Sequence, residues 1–365
     1  MARLAVGMFG GETGLLTEWG IAWNGDATAT NATDQKRTGS YALKLPSFTG
    51  NTSNDRGRQM SVGSLSEVYL AVGLRVDSFV STANTYPTWS PAMFIIQFLE
   101  GSTRHVAVAL RAPSNTVTAV RGNNPGTEVA ASATGLIAAN QWYLLQVYVK
   151  IADSGGRVVV KVDGVTQVDF TGDTRNGATG VINSIVLGQQ TYGPGDGSSF
   201  PNTWFDDFCI NDTTGSAETS YPAGGAVLYL KTNGNGNSSQ LVGSDSDSTD
   251  NYLLVQDVPP NTATYVESIT HDNEDTYAVD DVPAPYVSVR LVQPIMYAAL
   301  AAAGTGNADM VLRSGGADYE DAAAQALGTD YAFYRGDVRY VDPADSSGWT
   351  PTKVNALQPG PKVKA

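Results

Sequence analysis

The residues that could do chemistry are few, and their spacing decides what they could do. Adjacent carboxylates occur at Asp206-Asp207 and Glu274-Asp275. Sugar hydrolysis needs two carboxyl groups facing each other across a glycosidic bond, and adjacent residues on a strand point to opposite faces. Neither pair therefore has the geometry of a catalytic pair, and Asp206-Asp207 is expected to be structural, at the end of its strand. The two histidines are isolated. His105 lies in the alternating run Arg104–Arg111 and His271 in a polar loop with Asp272, Asn273 and Glu274, so neither meets the partners of a zinc site or a triad. The single cysteine, Cys209, sits in the apolar run Trp204–Ile210 and reads as a buried structural thiol. The expectation is a protein without catalysis.

Two further groups could bind rather than react. The run Asp245-Ser246-Asp247-Ser248-Thr249-Asp250-Asn251 gathers oxygen ligands in the manner of a calcium loop, with Asp245, Asp247 and Asp250 as the ligands. It lacks the glycine and terminal glutamate of an EF-hand, and a metal-free Asx-turn loop fits it equally well. The loops Asn84–Trp89 and Gln190–Asp196 offer Tyr86, Trp89, Tyr192 and Asp196 for stacking on a sugar and bonding its hydroxyls. Turn packing and subunit contacts use the same residue types.

The elements that must position these groups read as strands. Val68, Leu70, Val72, Leu74 and Val76 alternate with Glu67, Tyr69, Ala71, Gly73 and Arg75, the period of a half-buried strand. A second alternation, Tyr143 to Ile151, breaks at Asp153-Ser154-Gly155-Gly156 and resumes at Val158, Val160 and Val162, which reads as a hairpin. Asp163-Gly164 then turns the chain into Val165–Phe170. Further strands are expected at 40–45, 92–99, 104–111, 181–187 and 203–211. With no amphipathic helix between them, an antiparallel sandwich is favoured over any β-α-β arrangement.

The polar, turn-rich stretch from Asn211 to Gly225 marks a boundary, giving a first domain at 1–212, a linker at 213–225 and a second domain at 226–365. Strands are expected in the second domain at 226–231, 263–269, 276–279, 285–292, 295–303 and 331–340. The proline-bearing tail from Pro351 onward is expected to stay outside the core.

Composition narrows the function classes. The chain of 365 residues carries a net charge of −14 with no basic cluster, which disfavours nucleic acid. No segment has the length of a membrane span, and the first ten residues lack the apolar core of a signal peptide. One cysteine permits no intrachain disulfide. A product made in a host cytoplasm, β-rich and without export signal, is what a phage particle protein would look like.

The motif order supports that reading. Gly39-Ser40-Tyr41-Ala42-Leu43-Lys44-Leu45, then Gln141-Trp142-Tyr143-Leu144-Leu145, then Gly156 to Gly164, closing with Trp204-Phe205-Asp206-Asp207-Phe208, resembles the laminin-G-like, or concanavalin A-like, jelly-roll domain. The opening Phe9-Gly10-Gly11-Glu12-Thr13-Gly14 and Glu18-Trp19 resemble the start of phage versions of this domain. The second half resembles C-terminal regions of tailed-phage structural proteins through Asp250-Asn251-Tyr252, Val258-Pro259-Pro260, Thr264 to Ser268, Gly315 to Tyr319 and Trp349-Thr350-Pro351. The resemblance implies an all-β chain: a laminin-G-like antiparallel β-sandwich followed by a smaller β-sandwich-like domain. It implies a non-enzymatic virion structural protein, a capsid decoration, head-fibre or tail-associated subunit. Its partners would be other virion proteins and further copies of itself as a homo-oligomer. An adhesin whose N-terminal sandwich binds a host-surface glycan is the alternative, and a polysaccharide-degrading enzyme the third.

Overall fold

The structure, a computed structural model, describes residues 3–49, 56–79, 92–111, 115–123, 126–190, 199–301 and 306–364. The chain is all-β and divides into two compact units, 1–12 with 16–228 and 13–15 with 229–365. The division falls after Leu228, close to the expected start of a second domain at 226. The stretch expected as a free linker belongs to the first unit, because its backbone finds partners there: Asn211 Nδ2 donates to Ser220 O at 2.7 Å and Gln146 Nε2 to Pro222 O at 2.8 Å.

Unit 1 is a two-sheet sandwich. One sheet runs Val165–Gly172, Gly156–Val162, Trp142–Lys150, Glu67–Val76, Thr203–Asn211, Ala42–Leu45, Thr30–Ala32, with Arg3–Phe9 also paired to Thr203–Asn211. The other runs Thr127–Ala131, Thr116–Arg121, Thr103–Arg111, Ala92–Glu100, Ile182–Gln190, Arg56–Leu65, Ile21–Ala22. All pairings are antiparallel.

The period-2 alternation predicts which side faces in. Val68, Leu70, Val72 and Leu74 are fully buried in the core with Leu145, Val147, Val149, Val158 and Val160 from neighbouring strands. Apolar branched side chains gain most from this burial, about 1.5–3 kcal/mol each relative to exposure. The opposite-parity residues Tyr69, Tyr148, Arg157 and Lys161 therefore land on the outer face of the same sheet, Arg157 exposed and the others half-buried.

Unit 2 spreads its strands over small sheets. Asn307–Ser314 is flanked by Ala317–Glu320, Gln325–Ala326 and Gln358–Lys364, and three further two-stranded ladders surround it. Its main core cluster is small: Leu312, Trp349, Val354 and Leu357. Two of these lie in the tail that was expected to stay outside the core. Thr350 caps a short helix with Pro351 at its first turn, which buries Val354, and Gln358–Lys364 then pairs with Asn307–Ser314. Prolines 359 and 361 are accommodated where an outer strand requires fewer backbone donors. Gly360 is needed for a close approach, since a Cβ there would stand 1.8 Å from Asp275 O.

Candidate functional site

Strand register assembles a cluster on the outer face of the first sheet. Tyr69 is opposite Tyr148, Tyr148 opposite Val159, and Val159 opposite Asp169, which forms one row across four strands. The next row places Ala71, Gln146, Lys161 and Thr166 side by side. Same-face neighbours in adjacent strands touch, so the register alone brings these side chains together.

The rings of Tyr69 and Tyr148 stack with centroids 4.4 Å apart at 23°. Tyr221, from the segment after Asn211, meets Tyr69 edge-on at 5.0 Å and 73°. Lys161 Nζ lies 3.9 Å from the centroid of the Tyr221 ring. Arg157 grips Asp169 with two bonds, Nε to Oδ1 at 3.0 Å and Nη2 to Oδ2 at 2.8 Å. That pair is exposed, so it contributes orientation more than stability. Tyr148 OH donates to Glu67 Oε2 at 2.6 Å. Around these groups lies an open recess of about 370 Å³, with Val159 and Thr166 completing its lining.

Burial raises the Tyr221 phenol to about 12, and burial first, then the bond to Glu67, raises that of Tyr148. Tyr69 is raised by burial and by the Glu67 charge. All three rings stay neutral at physiological pH. The Arg157 hydrogen bond lowers Asp169, which stays ionised. The arrangement gathers three aromatic rings, phenol and hydroxyl groups for hydrogen bonds, and two cations, Arg157 and Lys161. Its carboxylates are already engaged, Asp169 by Arg157 and Glu67 by Tyr148.

The segment carrying Tyr221 is strapped down by a second polar cluster. Asp207 accepts from Arg37 Nη1 at 2.6 Å, Thr38 Oγ1 at 2.6 Å and Val227 N at 2.8 Å. Asp206 accepts from the backbone N–H of Arg37 at 2.7 Å and of Thr38 at 3.1 Å. Both carboxylates thus turn toward the same loop, against the expectation that they point to opposite faces. A register shift between Asp206 and Cys209, with Asp207 at φ 50°, breaks the alternation. Burial and the neighbouring Asp207 charge raise Asp206 to about 8. Glu12 is raised to about 7 by burial, against backbone bonds from Ser40 and Tyr41 that favour its charge. These acids hold loops, as expected for a structural pair.

The other acidic pair is also occupied. Asp275 accepts from Gln240 N, Leu241 N, Asn251 Nδ2 and Tyr277 OH, and Glu274 accepts from Ser238 Oγ. His105 is fully buried, its Nδ1 3.0 Å from Asn176 N and 3.1 Å from Gly177 N. With two N–H groups donating to Nδ1, the ring is neutral with its proton on Nε2, which faces Val181 O and Glu100. His271 is exposed, and Cys209 is half-buried rather than buried.

The residues proposed from sequence for calcium do not gather. Asp247 Oδ1 accepts from Thr249 N at 2.7 Å, the Asx-turn pattern, while Asp250 Oδ1 accepts from Asn235 Nδ2 at 2.7 Å. Asp245 Oδ1 faces Asp247 N at 3.4 Å. Among the described residues no group of three or more His, Cys, Asp or Glu side chains is arranged to hold a metal. Tyr86, Trp89, Tyr192 and Asp196 lie outside the described residues.

No family model matches the chain, and no curated protein does. Among solved structures it is similar to the alginate lyase Aly36B in complex with alginate trisaccharide, at 14% identity and TM-score 0.39 over 56% of this chain and 92% of that one. It is similar to the cellulose induced protein Cip1, at 13% identity and TM-score 0.44 over 60% of this chain and 99% of that one. It is also similar to the carbohydrate binding module CBM66 from Bacillus subtilis, at 13% identity and TM-score 0.30 over 51% of this chain and 94% of that one.

Proposed function

We propose that the chain is a non-enzymatic glycan-binding protein whose first unit reads a sugar at the tyrosine recess. The observation that carries this reading is the Tyr69–Tyr148 stack walled by Tyr221, mounted on a rigid sheet beside polar groups. Sugar rings present an apolar C–H face to an aromatic ring and hydroxyls to its polar rim, and a preformed site loses little freedom on binding. Catalysis is disfavoured because the carboxylates nearest the recess are bonded to Arg157 and to Tyr148. A glycan array probed with the full chain and with Tyr148→Ala tests the reading. Retention of one or more glycans by the wild type, weakened at least tenfold in the variant, is expected. Equal retention by both sinks it. Release of reducing ends from a retained polysaccharide would turn the reading to an enzyme.

The setting we propose is the tailed-phage virion, on the ordered motifs shared with laminin-G-like phage domains. The first unit would be the host-facing adhesin and the second the attachment to virion proteins or to further copies of the chain. Unit 2 favours an assembly role because it leaves large apolar side chains in solvent, Ile269 at 97% and Val287 at 87% exposure among them. Large apolar side chains left in solvent are available for a protein contact. Antibody labelling of intact particles checks the setting, and unlabelled particles would exclude it.

A further inference from the structure

The recess has a charge character at odds with the chain that carries it. Acidic residues outnumber basic ones 36 to 22 over the whole sequence. In the lining Arg157 and Lys161 stand against Asp169, and Glu67 just outside it is bonded to Tyr148. Asp169 is consumed by the bidentate Arg157 pair. Among the described residues Lys161 has no carboxylate within ion-pair distance, and it rests on the Tyr221 ring. Strand geometry fixes both cations on the recess side, since Arg157 and Lys161 are separated by four residues of the same strand, two periods of the alternation. A third cation, Lys150, stands opposite Arg157 outside the lining.

An ammonium held on a ring face is positioned without being neutralised, which leaves the donors turned away from the ring for a ligand. Thr166, opposite Lys161 in the next strand, adds a hydroxyl at the same place. A neutral sugar would use the ring faces and leave this cation idle. A sugar bearing an anion would use both.

On these grounds we infer that the recess selects anionic sugar residues, with a carboxylate or sulfate seated against Lys161 and Thr166 while the ring stacks on the tyrosines. This inference rests on the glycan-binding reading and specifies its ligand class. No covalent step is involved, and selectivity arises because the positive group is preorganised where the anion arrives.

The test uses the full chain with four immobilised polysaccharides: polygalacturonate and its carboxyl-reduced form, and κ-carrageenan and its desulfated form. The expected result is binding to at least one charged polymer tenfold or more tighter than to its charge-stripped partner. Lys161→Gln should reduce that preference to threefold or less. Lys150→Gln, on the same face outside the recess, should keep it within twofold, and melting temperatures of both variants check that each is folded. The arm that shows the preference distinguishes carboxylate from sulfate. Equal binding of charged and stripped forms, absence of binding to either charged polymer, or a preference unmoved by Lys161→Gln overturns the inference. In those cases glycan-array retention that depends on Tyr148 still upholds the glycan-binding reading, whereas array retention unaffected by Tyr148→Ala shows that the reading itself has failed.

Discussion

Replacing Asp207 by alanine removes three hydrogen-bond acceptances at once, those from Arg37, Thr38 and Val227. The carboxylate is 3% exposed at the residue level, so no water takes its place without local opening. Leaving one member of a buried ion pair alone costs about 3–5 kcal/mol, and each orphaned buried donor about 1–3 kcal/mol. The Arg37 side chain is 22% exposed and keeps a bond to Gly225 O, so it partly re-solvates. The net cost expected for Asp207→Ala is therefore about 3 kcal/mol, the low end of the ion-pair range. For a unit of this size that corresponds to a melting temperature lower by roughly 6–12 °C. Asp207→Asn keeps the acceptor for Thr38 and Val227 and removes the repulsion that helps raise Asp206, but it loses the Arg37 pair, so it should cost about 2 kcal/mol, between one net hydrogen bond and the ion-pair range. Urea unfolding followed by tryptophan fluorescence, with slopes compared, measures both. An alanine variant within 1 kcal/mol of wild type, or an asparagine variant as damaged as the alanine one, would refute the account of Asp207 as the strap's anchor.

Stability should also depend on pH with a sign opposite to the usual carboxylate case. Glu12 and Asp206 bind their protons more tightly folded, at about 7 and about 8, than unfolded, at 4.5 and 3.8. Their contribution is present below the unfolded values and lost as pH rises through the folded ones, so unit 1 should melt at a lower temperature at pH 8.5 than at pH 5.5, and Glu12→Gln should flatten that slope. His105 acts in the opposite direction, since burial lowers it below 6.5, and His105→Ala should cost about 1–3 kcal/mol, the cost of orphaning the Gly177 N–H while the exposed Asn176 re-solvates. Trp349→Ala should cost about 3–5 kcal/mol and unfold unit 2 at a temperature where unit 1 stays folded, which two calorimetric transitions would resolve. A single unchanged transition would contradict the small-core description.

The first unit was legible because its strands are long and half-buried. The parity of Glu67–Val76 already separates Val68 from Tyr69, and the hairpin around Gly155-Gly156 forms as expected. The Thr203–Asn211 strand also matches its expected limits. What parity could not supply was the register between strands, without which Tyr69, Tyr148 and Lys161 are three unrelated outward residues. Tyr221 was harder still, since its segment has the composition of a linker and is held by the side chains of Asn211 and Gln146. In unit 2 the apolar signal misled. Pro285–Val292 looks like a strand, yet only Val292 makes an isolated bridge, to Arg339, after Pro283 and Pro285 interrupt the backbone donors. Thr232–Ser239, entirely polar and glycine-bearing, pairs with Asp275–Val279 because its backbone, not its side chains, finds the partner.

The alternation of the Glu67–Val76 and Trp142–Lys150 strands separates two kinds of inheritance. One set of positions can drift or be redesigned for a new ligand while the other keeps the sandwich intact, because no side chain serves both faces. A frameshift-like insertion of one residue within either strand would instead exchange the two sets, presenting valines to solvent and tyrosines to the core. Diversification of this face should therefore proceed by substitution inside the strands, with changes of length confined to the turns that join them.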